Sequence, residues 1–269
     1  MIFSASICLV PHVDVTVAHG GGWLTHGMAF RLVQAGSPAV ADRLHAAAGA
    51  LLVSSGVLCD GPDALPDFAH TVTVPAGQPV WVRLTALGQE AAMAAAEGLA
   101  AMPELDLGPD GRCAVMERRV LLSHSGDLPR LMDLWQVTAA ATTGPRLEFL
   151  TPTAFVRRNK LELALPVPER VFGSPADARG LVGRWMQAGG PDVFEGWVPE
   201  HVGAIPETLT GVRVSLGQRG GVTGFVGRCR FAAPRDETAL RQLWTLARFA
   251  ELAGVGVKTG VGLGQVRVV

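Results

Sequence analysis

Two of the seven histidines in this 269-residue chain stand where a helix can bias their charge. Ser37-Pro38 is a good helix start, with serine as N-cap and proline at the first helical position. The expected helix Pro38–Ala48 meets a glycine stop at Gly49, which puts His45 in its last turn. There the helix dipole favours the protonated imidazolium. His26 is different in kind, because Thr25 is expected to cap a helix beginning at His26-Gly27-Met28, whose positive end favours neutral imidazole. One neutral and one protonated imidazole suit acid–base cleavage of a phosphodiester. An ordinary structural or surface role for both remains the plain alternative.

The other histidines are less suited to chemistry. His12 and His19 flank a first loop, His70 precedes a strand, His124 lies in a polar stretch and His201 in a proline-rich loop. None forms a His-x-x-x-His or Cys/His pair, so no metal site and no cofactor are expected. There is no Gly-x-Ser-x-Gly elbow, and the carboxylates show no paired pattern.

The second chemical feature is the block Gly254-Val255-Gly256-Val257-Lys258-Thr259-Gly260-Val261-Gly262-Leu263-Gly264. Its glycines permit positive φ and close approach of another molecule to bare backbone. Successive N–H groups can cradle an anion, with Lys258 adding charge and Thr259 a hydroxyl. It is no P-loop, since Val257 rather than glycine precedes Lys258, and Thr259 spoils the dinucleotide fingerprint. Gly254, Gly256, Lys258, Thr259, Gly260, Gly262 and Gly264 are therefore candidate contacts to a nucleic-acid backbone. The rival is that these glycines only let the last strand pack.

Charge supports that direction locally. The chain carries a net charge of −1, yet from Gly211 to Val269 nine cations face three anions, a net of +6. Arg213 belongs to this basic quarter, which is compatible with a phosphate-binding face. The chain has no tyrosine, and its lysines are Lys160 and Lys258 alone. Cys8, Cys59, Cys113 and Cys229 are far apart, as expected of reduced cytoplasmic thiols. With 48% hydrophobic residues the chain can bury a substantial core. Nothing approaches a transmembrane span, and the N-terminus reads as a strand rather than a signal peptide.

The elements that must position these residues repeat in order. Ile2–Val10 reads as a strand, followed by helices at about Leu24–Ala35 and Pro38–Ala48. Strands near Leu51–Leu58 and Thr71–Leu84, the helix Gln89–Ala101 and a strand around Cys113–Leu122 complete the first half. Ser123–Pro129 is a polar linker. The second half has a strand Arg146–Thr151, a helix Glu169–Gln187 interrupted at Gly173-Ser174-Pro175, paired strands Val212–Leu216 and Val222–Phe231, an amphipathic helix Glu237–Ala253 and a last strand Gln265–Val269. Each half is thus strand, helix, strand, strand, helix, strand, the ferredoxin-like order of an α+β fold. The expected domains are 1–128, with the histidines, and 129–269, with the glycine loop, joined near Ser123–Leu134.

These residues carry a resemblance. Ala247 to Arg267, which contains the glycine block, is similar to the C-terminal glycine-rich signature of the CRISPR-associated endoribonucleases of the RAMP superfamily, which cut precursor CRISPR RNA within its repeats. Leu150-Thr151-Pro152-Thr153, Arg213-Val214-Ser215 and Gly224-Phe225-Val226-Gly227 resemble the same C-terminal domain. His26-Gly27-Met28-Ala29-Phe30 and Ser37 to His45 resemble its helical segment. The resemblance implies two ferredoxin-like (RRM-like) domains and metal-independent cleavage, in which a general base activates the ribose hydroxyl, a protonated group assists the leaving oxygen, and a cyclic phosphate results. Members often combine histidine, tyrosine and lysine. By position the catalytic histidine falls on His45, the tyrosine on Phe30 and the lysine near Leu51. That leaves His45 and His26 as acid and base, with Arg31 or Arg43 as electrophilic helpers. The implied partners are CRISPR repeat RNA (precursor crRNA) and other CRISPR effector subunits, for a monomer or homodimer. The alternatives are a non-catalytic RAMP-type RNA-binding subunit and an unrelated small-ligand-binding α+β protein.

Overall fold

Strand β1 (Ile2–Pro11) is buried almost throughout, because it has β5 (Val80–Leu87) on one side and β7 (Arg112–Leu122) on the other. The computed structural model describes residues 1–46, 51–109, 111–122, 143–156, 162–233 and 236–269. With β3 (Leu52–Ser54) and β6 (Glu104–Asp106), the first sheet runs β3-β5-β1-β7-β6, all neighbours antiparallel. Its first four strands follow the ferredoxin-like order, two-three-one-four. Between β1 and β3 come α1 (Gly22–Gly36) and α2 (Pro38–Ala46); α3 (Gln89–Ala101) follows β5. Helices α1 and α3 approach closely because their contact is glycine. A Cβ at Gly98 would lie 1.9 Å from the Leu32 carbonyl oxygen, and one at Gly36 2.0 Å from that of Ala94.

The stretch expected as one strand over Thr71–Leu84 is two. Strand β4 (Val72–Val74) pairs with β2 (Val15–Val17) in a separate ribbon, and only Val80–Leu87 enters the main sheet. The polar turn at Pro75-Ala76-Gly77-Gln78 separates them, with Gln78 N–H donating to the Pro75 carbonyl.

The second sheet has the same plan. Strand β8 (Arg146–Thr153) lies between β13 (Gly221–Ala232) and β14 (Val266–Val268), and β11 (Gly203–Pro206) and β12 (Thr210–Ser215) both pair with β13. A small hairpin of β9 (Phe155–Val156) and β10 (Glu162–Leu163) follows β8. The interruption expected at Gly173-Ser174-Pro175 within Glu169–Gln187 is present: the stretch forms α4 (Pro168–Val171) and α5 (Leu181–Gln187), split where Gly173 takes φ +67°. Helix α6 (Glu237–Ala253) starts at an Asp236 N-cap whose carboxylate accepts the Ala239 N–H at 2.9 Å. It packs on α5 through Trp185 and Phe249, edge to face at 5.4 Å.

On the solvent side of this sheet Glu148 stands in register with Arg228 and Arg267, at 3.0 and 2.5 Å. Hydrogen bonds from Arg267 and then Arg228 hold its carboxyl below the usual carboxylate range. A lowered folded-state value stabilises above the unfolded pKa, and that contribution is lost as pH falls through the folded one. Glu148→Gln is expected to lower stability at pH 7 by about 1 kcal/mol or less. The deficit should shrink below about pH 4, which paired thermal melts at pH 7 and pH 3 would check.

The chain divides into two compact units, each with one five-stranded sheet and one two-stranded pair, apart from the end of β12, which falls with the first unit. The first comprises Met1–His124, Val214–Gly221 and Lys258–Gly262; the second comprises Ser125–Arg213, Val222–Val257 and Leu263–Val269. The expected linker Ser123–Pro129 and the Gly49 stop lie outside the described residues. Among the described residues no helix is long and apolar enough to cross a membrane.

Candidate functional site

Helix α1 starts earlier than Thr25. Gly21, at φ +65°, is its N-cap, and Gly22 is its first residue. Thr25 is therefore inside the first turn and fully buried, where its hydroxyl bonds the Gly22 carbonyl at 3.1 Å and the Ser54 hydroxyl at 2.6 Å. His26 lies beyond the first turn, where the dipole has largely faded, so the argument for a neutral His26 from a helix start does not hold. His45 does lie in the last turn of α2, on an exposed face.

Within the first unit α1, α2 and the segment Lys258–Gly262 bring five side chains into one row. Lys258 Nζ lies 5.2 Å from the centre of the Trp23 ring. Trp23 meets His26 edge to face at 5.8 Å, His26 meets Phe30 at 5.0 Å, and Phe30 meets His45 at 5.7 Å. Positions 23, 26 and 30 share one face of α1 because they are three and four residues apart. Lys258 and His45 are exposed at the two ends, and the three rings between them are partly exposed. Phe30 thus separates the two imidazoles.

The glycine segment is built into this row. Lys258 adopts φ +64°, uncommon for a residue with a side chain, and leads into a short 3-10 turn at Thr259–Val261. A Cβ at Gly22 would fall 2.1 Å from the Val261 carbonyl oxygen, and one at Gly260 would fall 3.0 Å from His26 Nδ1. Thr259 is fully buried, as are Val261 and Gly262, so Lys258 is the side chain this segment offers to solvent. In the second unit Gly254 caps α6 with its N–H on the Ala250 carbonyl, and Gly264 N–H donates to the Pro152 carbonyl. Gly256 is backed against the Ala154 carbonyl oxygen, 2.3 Å from where its Cβ would be.

The candidate arginines are not gathered at the row. Arg31 pairs with Asp106 at 2.6 Å and Arg43 with Glu90 at 2.7 Å, both exposed. Arg213 is exposed on β12, in the second unit. Leu51 is partly buried and offers no proton donor; its carbonyl accepts the Leu87 N–H. Among the described residues no group of three His, Cys, Asp or Glu side chains could hold a metal ion. Burial pushes the Cys113 and Cys229 thiols up to about 11, which keeps both protonated and poorly nucleophilic at neutral pH.

Sequence reasoning missed Trp23. Its signal was the spacing Trp23, His26, Phe30, which a core stripe would also show. It also missed Arg184, whose partners lie about seventy residues away.

The family model for CRISPR-associated endoribonuclease Cas6 matches residues 147–266. The curated relatives are Cas6 endoribonucleases from two strains of Mycobacterium tuberculosis, 30% identical over 127 residues, which is 46% of this chain. The matched stretch spans 38% of the length of those relatives. A Thermus thermophilus Cas6 solved as a product complex is similar over 100% of this chain and 99% of its own, with 24% identity and a TM-score of 0.71. A second Cas6 product complex has a TM-score of 0.65 at 24% identity over the full length of both chains. A RAMP protein described as binding different RNA substrates has a TM-score of 0.58 at 16% identity over 99% of each chain. At these identities the structural likeness is one of fold.

Proposed function

From a chain that is Cas6-like in sequence over residues 147–266 and in fold throughout, we propose a metal-independent endoribonuclease that binds CRISPR repeat RNA and cuts precursor crRNA within its repeats. The observation that carries this reading is the row from Lys258 through Trp23, His26 and Phe30 to His45. It offers a cation for a phosphate, ring surface for unstacked bases, and two imidazoles on either side of one phenyl ring.

In the proposed reaction one imidazole takes the proton of the ribose 2′-hydroxyl beside the scissile phosphate. The freed oxygen attacks phosphorus in line, and the P–O5′ bond breaks. The other imidazole, protonated, gives its proton to the departing 5′-oxygen, leaving a 2′,3′-cyclic phosphate and a 5′-hydroxyl. His45, exposed in the last turn of α2, is assigned as the acid. His26 is then the base. Lys258 carries its charge on a segment that contacts His26, where it can neutralise the phosphate as charge develops.

Incubation of labelled repeat RNA with the protein in excess chelator is expected to give one cut with a cyclic-phosphate end. No cleavage in chelator, restored by a divalent ion, would refute the metal-independent route. Lys258→Ala is expected to weaken repeat binding several-fold and reduce the slope of log affinity against log salt by roughly one. An unchanged affinity and slope would remove Lys258 from the RNA contacts. A second reading, a non-catalytic RNA-binding RAMP subunit that assembles with other effector proteins, draws on Phe30. That ring holds the imidazoles apart and cannot move a proton, and binding without cleavage would favour it.

A further inference from the structure

Arg184 on α5 is the one fully buried cation among the described residues, 2% exposed, and its hydrogen bonds are to main-chain carbonyls rather than to a carboxylate. Nη1 donates to the carbonyls of Ala253 at 2.8 Å and Gly254 at 3.2 Å, and Nη2 donates to that of Gly256 at 2.8 Å. These are the last residue of α6, its cap and the second glycine of the block. Burial lowers the guanidinium to about 10, with Asp177 opposing the shift, so it stays charged at neutral pH.

A buried charge is costly unless its geometry is used. Here it faces the negative end of the α6 dipole, and its planar fork reaches carbonyls on three different residues. Those carbonyls alternate with amides that are also held: Val255 N–H donates to Gly264 O at 2.8 Å and Val257 N–H to Ala154 O at 2.9 Å. Gly254 at φ +65° and Gly256 at φ +81° make the path between them possible. Three bonds from one side chain thus fix the backbone up to two residues before Lys258.

We infer that Arg184 is a positioning residue for the glycine-rich block: it touches no RNA but sets the course on which Lys258 is presented. The functional half of this inference rests on Lys258 contacting RNA as proposed above; the structural half does not.

Two measurements test it. Hydrogen exchange at the Val255 and Val257 amides is expected to rise at least about tenfold in Arg184→Met, with α3 amides unchanged, and Arg184→Lys should recover part of the protection. In a double-mutant cycle on repeat affinity, Lys258→Ala should cost several-fold in the parent and less than about twofold in the Arg184→Met background. If Arg184→Met does not fold, Arg184→Lys carries both measurements with smaller shifts. Unchanged exchange at both amides overturns the inference, whatever the RNA result. Raised exchange with a Lys258 effect equal in both backgrounds overturns the functional half. Raised exchange with no Lys258 effect even in the parent supports the pinning and counts against Lys258 as the RNA contact.

Discussion

Single-turnover cleavage of repeat RNA is expected to fall roughly a hundredfold or more in His45→Ala and in His26→Ala, with RNA affinity changed by less than about threefold. The reason is the row itself. Phe30 stands between the imidazoles, the chain has no tyrosine, and the position expected for a lysine is Leu51, although Gly260 brings the segment led by Lys258 against the neighbouring Leu52. In the proposed reaction proton transfer is assigned to these two rings, and Lys258 to the phosphate. The two variants differ in what else they disturb. His45 is exposed, so its loss should leave the melting temperature unchanged, whereas His26 packs against Gly260 and Phe30 and its loss leaves a small gap. His26→Gln keeps most of that packing and is the better comparison. Full activity in both His45→Ala and His26→Gln would sink the acid–base assignment.

The second large effect is expected from Gly262→Val. Gly262 has φ +87°, and a Cβ there would stand 2.9 Å from the Ser55 carbonyl oxygen. A β-branched residue in that conformation costs on the order of 1–3 kcal/mol before any clash. Movement of the Lys258–Gly262 segment should follow, with repeat affinity down about tenfold or more, if each displaced contact is worth about 1.4 kcal/mol. Gly27→Ala is the control. Gly27 is an exposed residue inside α1, and a Cβ there meets nothing within 4 Å, so alanine should stabilise by about 0.5–1 kcal/mol. Filter binding and thermal melts on both variants separate a bent segment from a general intolerance of side chains. Parent-like RNA affinity in Gly262→Val would show that the segment's path does not matter for binding.

Where a signal was local, the sequence could be read to the residue. Gln89–Ala101 and Glu237–Ala253 are helices with the expected ends, because an alanine run, an Asp236 cap and a Gly254 stop are local facts. Three-residue strands carry no periodicity, so Val15–Val17 and Glu104–Asp106 were invisible, and the edge of the second sheet was assigned to Val212–Leu216 alone rather than shared with Gly203–Pro206. The start of α1 was misplaced for a physical reason. Gly20-Gly21-Gly22 reads as a loop, yet Gly22 is helical and is glycine because the Val261 backbone, distant in sequence, lies against it. The same holds for the site. The histidines and the glycine block were legible one at a time, while their meeting through Gly260 and His26 is a tertiary fact. The burial of most of the block was likewise hidden, because glycine looks the same whether the close neighbour is a ligand or another strand.

The division of the chain into units has a consequence for how the molecule is made. The segments Val214–Gly221 and Lys258–Gly262 belong to the first unit, although the second unit's sheet and last helix are translated around and between them. Closing Lys258–Gly262 onto α1 joins residues roughly two hundred positions apart, a contact whose loop entropy is met late. Synthesis therefore passes through a stage in which the first sheet is complete but the row ends at Trp23 without its cation. A nascent chain synthesised only as far as the last helix carries both histidines and lacks the segment that packs against His26.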